Sequence, residues 1–130
     1  MSSFRALGHV TTEPSRELET FPAPAGVQTV TLESDEVTSL CPVTGQPDWE
    51  TVVIEYAPDQ ACIESKSLKL YLWSFRQEGV FCEALASRIV DDVAAACRPR
   101  WCRVTVIQKP RGGIRITATA VQGAAPPARR

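Results

Sequence analysis

The sequence is poor in the residues and motifs that mark several common kinds of enzyme site. Its 130 residues include a single histidine, His9. Ser-His-Asp and Cys-His nucleophile activation both need an imidazole beside the nucleophile, so the sequence argues against these two classes of site. No strand pattern is followed by G-x-G-x-x-G, and the usual dinucleotide-binding fingerprint is therefore missing as well.

The cysteines do not form a recognisable framework. There are five, Cys41, Cys62, Cys82, Cys97 and Cys102. No two of them are spaced as C-x-x-C, and an odd number in a chain without a secretory signal argues against a disulfide framework. Because the thiols lack ligand spacing and only one histidine is present, we expect no metal site.

Long apolar runs and strong charge are absent too. No stretch approaches the length of a membrane span, and the first residues lack the apolar centre of a secretory signal. The formal net charge is -1, which gives no reason to expect nucleic acid or an anionic membrane as a partner. We therefore expect a cytoplasmic protein.

The composition that is present, 44% hydrophobic and 22% charged, is typical of one globular domain. Residues 1–26 are rich in Pro, Glu, Thr and Ser, and the chain ends in GAAPPARR. We interpret residues 1–26 as an N-terminal arm and residues 123–130 as a disordered tail, both docking weakly or not at all. Residues 27–122 are predicted to form the folded domain.

Periodicity in the first half of that domain predicts two strands and then two helices. Residues 27–34 and 49–57 alternate apolar and polar side chains, as strands do. Residues 67–76 and 80–97 carry apolar side chains at helical spacing, and Pro99 prevents the second helix from continuing. The apolar helix positions are Leu68, Tyr71, Leu72 and Phe75, then Phe81, Leu85, Ile89 and Val93.

The second half of the domain predicts a β-hairpin. Residues 101–108 and 114–121 both alternate, with Cys102, Val104 and Val106 and then Ile114, Ile116 and Ala118 on one face. The order ββααββ predicts an α+β fold, a mainly antiparallel four-stranded sheet with two antiparallel helices on one face. The opposite, polar face suggests the inside of a ring of several copies, which would also cover the sheet edges.

The segment SLCPVTGQPDWE, residues 39–50, contains two prolines and a glycine. These residues break helical hydrogen bonding and favour turns. We interpret the segment as a loop with a thiol, Cys41, at one end and an acid, Asp48, at the other.

Four short motifs then identify a family. SLCPVTGQPD (39–48), ESKSLKLYLWSFR (64–76), FCE (81–83) and PRGGI (110–114), in this order and at these intervals, closely resemble the NADPH-dependent 7-cyano-7-deazaguanine reductases. These are the nitrile reductases of queuosine biosynthesis, here of the short single-domain type. The resemblance implies the tunnelling fold and ring-shaped homo-oligomers, a pentamer or a stacked decamer, with sites between subunits.

The resemblance implies a covalent mechanism. Cys41 matches the nucleophile that adds to the nitrile carbon to form a thioimide, and Asp48 matches the acid that protonates the nitrogen. Two hydride transfers from NADPH would then reduce the thioimide to the imine and the imine to the amine. Glu83 matches the residue that anchors the substrate, since one carboxylate can accept two adjacent N–H donors of a deazaguanine. Alternatively, Glu83 is simply a favourable residue at a helix start.

The segment ESKSLK matches the family's cofactor segment. The implied NADPH-binding residues are Ser65, Lys66, Ser67, Lys69 and Arg111, and Glu64 and Ser65 are implied to contact the substrate. A helix start suits phosphates because its free N–H groups and dipole favour anions. The alternative is a solvated lysine pair and an ordinary hairpin turn around Arg111.

One position departs from the family pattern. Cys82 stands where the family usually has histidine, so the imidazole beside the substrate anchor is missing. A thiol cannot become a cation as histidine does. Cys82 is either a small buried hydrophobic residue or a redox partner that forms a reversible disulfide with Cys41. The departure leaves reduction, a slowed or pH-shifted reduction, and a different product all open.

Three functions are therefore compatible with the sequence. The first is NADPH-dependent reduction of 7-cyano-7-deazaguanine to 7-aminomethyl-7-deazaguanine. The second is a diverged enzyme that forms the thioimide and passes it to ammonia or another acceptor. The third is a non-catalytic ring protein that binds a purine, against which the retention of both Cys41 and Asp48 argues.

Overall fold

The computed structural model describes residues 12–127, so His9 and the first part of the N-terminal arm lie outside the described residues. Eight elements follow one another along the chain. They are β1 (Thr20–Pro22), β2 (Val30–Leu40), β3 (Pro47–Ala57), β4 (Ala61–Ile63), α1 (Ser65–Trp73), α2 (Cys82–Cys97), β5 (Trp101–Arg111) and β6 (Ile114–Gly123).

The four long strands form one antiparallel sheet in the order β2-β3-β5-β6. The alternating side chains of β3 stay in register with those of its neighbours, so that Ile54 lies opposite both Leu32 and Val104. Val52, Ile54 and Tyr56 are almost completely buried, as period-two alternation predicts for a strand with one covered face. The predicted α+β fold is confirmed.

Both helices begin and end for identifiable reasons. The Glu64 side chain caps α1 by accepting hydrogen bonds from the backbone N–H groups of Lys66 and Ser67. Helix α2 ends where Arg98 adopts a left-handed conformation, with φ of 47°, directly before Pro99. Leu85, Ile89 and Val93 are buried as predicted, but Phe81 precedes α2 and is 58% exposed, so its predicted place in the core is wrong.

Half of the loop predicted for residues 39–50 is strand. Ser39 and Leu40 end β2, and Pro47 and Asp48 begin β3 opposite them, which leaves a short hairpin connection at residues 41–46. Proline is tolerated as the first residue of a strand, which is why Pro47 does not prevent the pairing. Ile114 also differs from its predicted inward position, because it lies beside the β5–β6 turn and is 68% exposed.

The described part of the N-terminal arm docks closely, in contrast to the expected weak docking. Strand β1 pairs with β4, two short strands that periodicity could not reveal. The backbone N–H of Glu19 donates to the Ser67 hydroxyl at 2.9 Å, and Arg16 lies over the Phe75 ring and pairs with Glu78. These contacts join the arm to the start and the end of α1.

Candidate active site

A cleft of about 420 Å³ opens between the β2–β3 hairpin, the start of α2 and the end of β5. Its lining residues are Cys41, Pro42, Thr44, Asp48, Phe81, Cys82, Glu83, Gln108, Lys109, Arg111, Ile114 and Ile116. Five of the residues that the sequence singled out therefore meet here, from three separate stretches of chain: Cys41, Asp48, Cys82, Glu83 and Arg111.

Cys41 is positioned by the hairpin connection. Its backbone N–H donates to Gln46 and its carbonyl accepts from Gly45, both at 2.8 Å, and Gly45 has the positive φ of 73° that this turn requires. Hydrogen bonding from Thr44 and from the backbone of Val43 lowers the pKa of the Cys41 thiol, and this outweighs the opposing effects of burial and of Asp48. The lowered pKa increases the fraction of thiolate, which is the nucleophilic form.

Asp48 lies on the inward face of β3 and is only 4% exposed. Its carboxylate accepts a hydrogen bond from the Arg111 guanidinium, which also donates to the Gln46 side chain at 2.6 Å. Arg111, predicted to bind a cofactor phosphate, is therefore already paired with the predicted acid.

Cys82 and Glu83 are the first two residues of α2. The buried Cys82 thiol contacts the Val106 carbonyl oxygen at 3.5 Å, and desolvation raises its pKa to about 11. Cys82 is thus a neutral thiol at the cleft wall, while Glu83 is exposed to the cleft in the first helical turn. A negative charge at this position is favoured by the helix dipole. Cys41 and Cys82 are both free thiols, and the predicted disulfide between them stays a prediction.

Sequence reasoning missed Glu50, which lies two residues after Asp48 on the same face of β3 and is 2% exposed. The Ser39 hydroxyl donates to its Oε2 at 2.7 Å, whereas Oε1 has no hydrogen-bond partner among the described residues. Burial raises the pKa of Glu50 to about 7. The alternation of β3 could have revealed this burial, because Glu50 continues the series of inward-facing residues Val52, Ile54 and Tyr56.

The exposed apolar side chains at the cleft were missed as well. Phe81 and Ile114 are mostly exposed, although periodicity assigned both to the core. They lie on opposite elements, one before α2 and the other at the start of β6, and both line the cleft. Their exposure leaves apolar surface where a flat aromatic ligand could contact it.

The predicted cofactor segment lies away from the cleft in the structure. Ser65 and Lys69 line a separate groove of about 540 Å³ between β2 and α1, together with Leu32, Leu68 and Trp73. None of the residues predicted from ESKSLK lines the cleft, so the described chain does not bring them to Cys41.

Two of those residues already have contacts within the chain. The Glu64 carboxylate accepts from Lys66 N at 2.8 Å and from Ser67 N at 2.7 Å, which lowers its pKa. The Ser67 hydroxyl accepts from Glu19 N and donates to the Glu64 carbonyl at 2.8 Å. Ser65, Lys66 and Lys69 remain exposed.

Within residues 12–127, no helix is long and apolar enough to span a membrane. The same residues contain no group of three or more His, Cys, Asp or Glu side chains that could hold a metal ion.

Comparison with known proteins identifies the family. Residues 47–127 match the family model described as QueF-like protein. The chain is 52% identical over 110 residues to the NADPH-dependent 7-cyano-7-deazaguanine reductase of Nitrosococcus oceani, an alignment that covers 83% of this chain and 85% of that protein. The protein of the same name from Anaeromyxobacter sp. (strain K) is 50% identical, with 88% of this chain and 96% of that protein covered. This chain belongs to the 7-cyano-7-deazaguanine reductase family.

A solved relative of this reductase has the same fold. The crystal structure of the archaeosine synthase QueF-Like in the apo form aligns with a TM-score of 0.71 and 28% identity, covering 76% of this chain and 97% of that chain. The reductase from Syntrophus aciditrophicus is a closer relative in sequence, 54% identical over 110 residues, with 83% of this chain and 79% of that protein covered.

Proposed function

We propose that this reductase converts the nitrile of 7-cyano-7-deazaguanine to the primary amine through a covalent thioimide on Cys41. The observation that carries the mechanism is the meeting of Cys41, Asp48 and Glu83 in one cleft. These three side chains can attack the nitrile carbon, protonate its nitrogen and hold the pairing edge of the ring.

Cys41 is proposed as the nucleophile. Its lowered thiol pKa increases the fraction of thiolate near neutrality, and the hairpin connection holds its backbone at both N–H and carbonyl. Addition to the nitrile carbon forms the C–S bond, and the electron pair released from the C–N triple bond moves to nitrogen.

Asp48 is proposed to protonate that nitrogen. It approaches the cleft from the strand opposite Ser39, so the paired hairpin keeps the acid close to the thiol. Arg111 orients the Asp48 carboxyl group through their hydrogen bond, and a positioned acid contributes typically about 10²–10⁴ in rate.

Glu83 is proposed to anchor the deazaguanine. One carboxylate can accept two adjacent N–H groups, and its exposure to the cleft leaves both oxygens available to a ligand. Phe81 and Ile114 would contact the flat ring, because exposed apolar side chains at a cleft gain from covering a planar ligand.

Two molecules of NADPH, bound in turn, would supply the two hydrides of the reaction, one hydride each. The exposed Lys66 and Lys69 side chains and the Ser65 hydroxyl fit the phosphates of NADPH. The N–H groups of Lys66 and Ser67 are already used by Glu64, so charge on the lysines contributes more than free helix N–H groups do.

We propose a ring of subunits because one described chain keeps the cofactor segment and the cleft apart. Strands β2 and β6 are the two edges of the main sheet, and each could pair with the other edge of a neighbouring copy. Such pairing would bring a second copy beside the groove between β2 and α1. The segment 64–69 of one subunit would then complete the site of another.

The test is a cuvette that contains the enzyme, 7-cyano-7-deazaguanine and NADPH. We expect NADPH absorbance to fall with wild type and not with Cys41→Ala. Without NADPH, intact mass should increase by the mass of the nitrile on wild type alone. Wild type that neither gains this mass nor oxidises NADPH would contradict the proposed mechanism.

The second candidate is transfer of the thioimide to ammonia or another acceptor. It is favoured by the missing histidine at Cys82 and by a solved relative whose name denotes a synthase rather than a reductase. An adduct on Cys41 that ammonia releases while NADPH remains unoxidised would select this reaction.

A further inference from the structure

The reaction needs more protons than Asp48 alone can hold. Converting a nitrile to a primary amine consumes two hydrides and two protons, one proton with each hydride. Asp48 can deliver one proton as the thioimide forms, and it must then be protonated again before the amine can form. At 4% exposure, Asp48 has little direct access to water.

Few groups near Asp48 can return that proton. The usual histidine is absent, and the Cys82 thiol has a pKa of about 11, so it does not release its proton near neutrality. Arg111 donates a hydrogen bond to Asp48 but is not deprotonated in proteins, and Lys109, also at the end of β5, forms no hydrogen bond with Asp48 among the described residues. Glu83, at the start of α2, is exposed and is assigned to the substrate.

Glu50 is the remaining carboxyl. It lies at i+2 from Asp48 on the inward face of β3, between Val37 of β2 and Gln108 of β5, neither of which carries charge. Its Oε2 accepts from Ser39, the residue directly opposite Asp48, and its Oε1 has no partner among the described residues. An ionised Glu50 would be a buried charge without a cation, so the protonated form is favoured.

We propose that Glu50 is the proton reservoir of this site, which holds a proton on Oε1 and returns it to the Asp48 carboxylate between the two reduction steps. The Ser39 hydroxyl donates to Glu50 Oε2, and Ser39 lies directly opposite Asp48 in the β2–β3 register, so both acids adjoin this residue. Glu50 thereby takes the place of the imidazole that is missing because Cys82 stands at the usual histidine position. It acts through Asp48 rather than on the substrate, and is therefore a positioning residue. The inference rests on the proposed reductase mechanism.

The decisive variant is Glu50→Gln, which keeps the side-chain shape and cannot donate a carboxyl proton. Thioimide formation needs only the proton of Asp48, so the adduct on Cys41 should form at the wild-type rate. Steady-state NADPH oxidation should fall about tenfold or more, a smaller lower bound than the roughly 10²–10⁴ of a group that exchanges a proton with the substrate itself, because Glu50 acts through Asp48. Glu17→Gln, an exposed glutamate of the arm, is the matched control and should leave both rates unchanged.

The pH profile separates this role from a structural one. Wild-type turnover should fall as pH rises above about 7, where Glu50 loses its proton. This alkaline limb should be absent in Glu50→Gln. In Ser39→Ala it should move to higher pH, because the Ser39 hydrogen bond lowers the pKa of Glu50. An infrared difference spectrum at neutral pH should show a protonated carboxyl band in wild type that Glu50→Gln lacks.

Restoring an imidazole should rescue the variant. In Glu50→Gln/Cys82→His, the new side chain lines the cleft and should recover most of the lost NADPH oxidation. A folded Glu50→Gln with the wild-type rate and pH profile would overturn the reservoir role, as would equal slowing of adduct formation and reduction. Wild type that forms no adduct would instead contradict the proposed function itself.

Discussion

At the scale of single residues, two acids on one strand differ because of their neighbours. Asp48 and Glu50 share the inward face of β3, and both are almost fully buried. Asp48 has a cationic partner in Arg111, whereas the only side-chain hydrogen bond of Glu50 among the described residues comes from the neutral Ser39. Desolvation therefore raises the pKa of Glu50 to about 7, the range in which a carboxyl group can exchange protons at physiological pH.

The same pKa shift predicts a pH-dependent stability. Below 4.5, the pKa of Glu50 in the unfolded chain, its contribution to the free energy of unfolding is fully present. That contribution is lost as pH rises to about 7, the pKa of Glu50 in the folded protein. The free energy of unfolding of wild type, relative to Glu50→Gln, should therefore decrease by on the order of 3 kcal/mol between about pH 4 and pH 8.

Urea denaturation of both proteins across this pH range measures the difference. Groups that do not interact with Glu50 contribute equally to wild type and variant, so their titration cancels. A difference that is constant with pH would show that Glu50 titrates alike in the folded and unfolded states.

At the scale of elements, strand pairing rather than loop flexibility places the thiol and the acid. The β2–β3 register sets Ser39 opposite Asp48, and Cys41 follows two residues after Ser39. Arg111 then joins from the end of β5, next to the Gly112-Gly113 turn. The proposed catalytic groups are thus held at the ends of hydrogen-bonded strands, which limits their movement relative to one another.

The far end of the β5–β6 ladder offers a test of element packing. Gly123 has a φ of 81°, and a Cβ there would lie 2.6 Å from the Arg100 carbonyl oxygen. Gly123→Ala should destabilise the protein by about 1–2 kcal/mol for the left-handed backbone and by about 1–3 kcal/mol more for the clash.

Gly26→Ala is the matched control for that substitution. Gly26 has a similar φ of 90°, but a Cβ there meets nothing within 4 Å. Thermal denaturation should therefore show a clearly smaller loss for Gly26→Ala. Equal losses at the two positions would mean that the Arg100 contact relaxes without cost.

At the scale of the whole molecule, the proposed ring explains why the predicted site residues fall into two groups. Cys41, Asp48 and Glu83 line one cleft, while Ser65 and Lys69 line the groove beside β2. Each copy would contribute its cleft to one site and its α1 start to another. Activity would then depend on assembly.

Mixing two inactive variants tests this arrangement. Cys41→Ala lacks the nucleophile, and Lys66→Glu/Lys69→Glu reverses the charge proposed for NADPH. If sites form between subunits, dissociating and reassembling the two variants together should restore NADPH oxidation that neither shows alone. A mixture as inactive as its components, or a wild type that sediments as a monomer while active, would contradict the proposed ring.

The sequence alone determined the order of helices and strands and the family motifs. Strand alternation and helical spacing are local properties, so each can be recognised within a single stretch of chain. The periodicity of residues 49–57, 80–97 and 101–108 was sufficient for the α+β fold. The order of SLCPVTGQPD, ESKSLK and FCE was sufficient for the family.

Only the tertiary structure decided which groups meet. The pairing of Arg111 with Asp48 joins residues 63 positions apart, and the contact between Glu19 and Ser67 joins residues 48 apart. The pKa of Glu50 likewise depends on how completely α2 and the neighbouring strands exclude water from its carboxyl group. Such contacts depend on how distant stretches of chain pack, which no local pattern encodes.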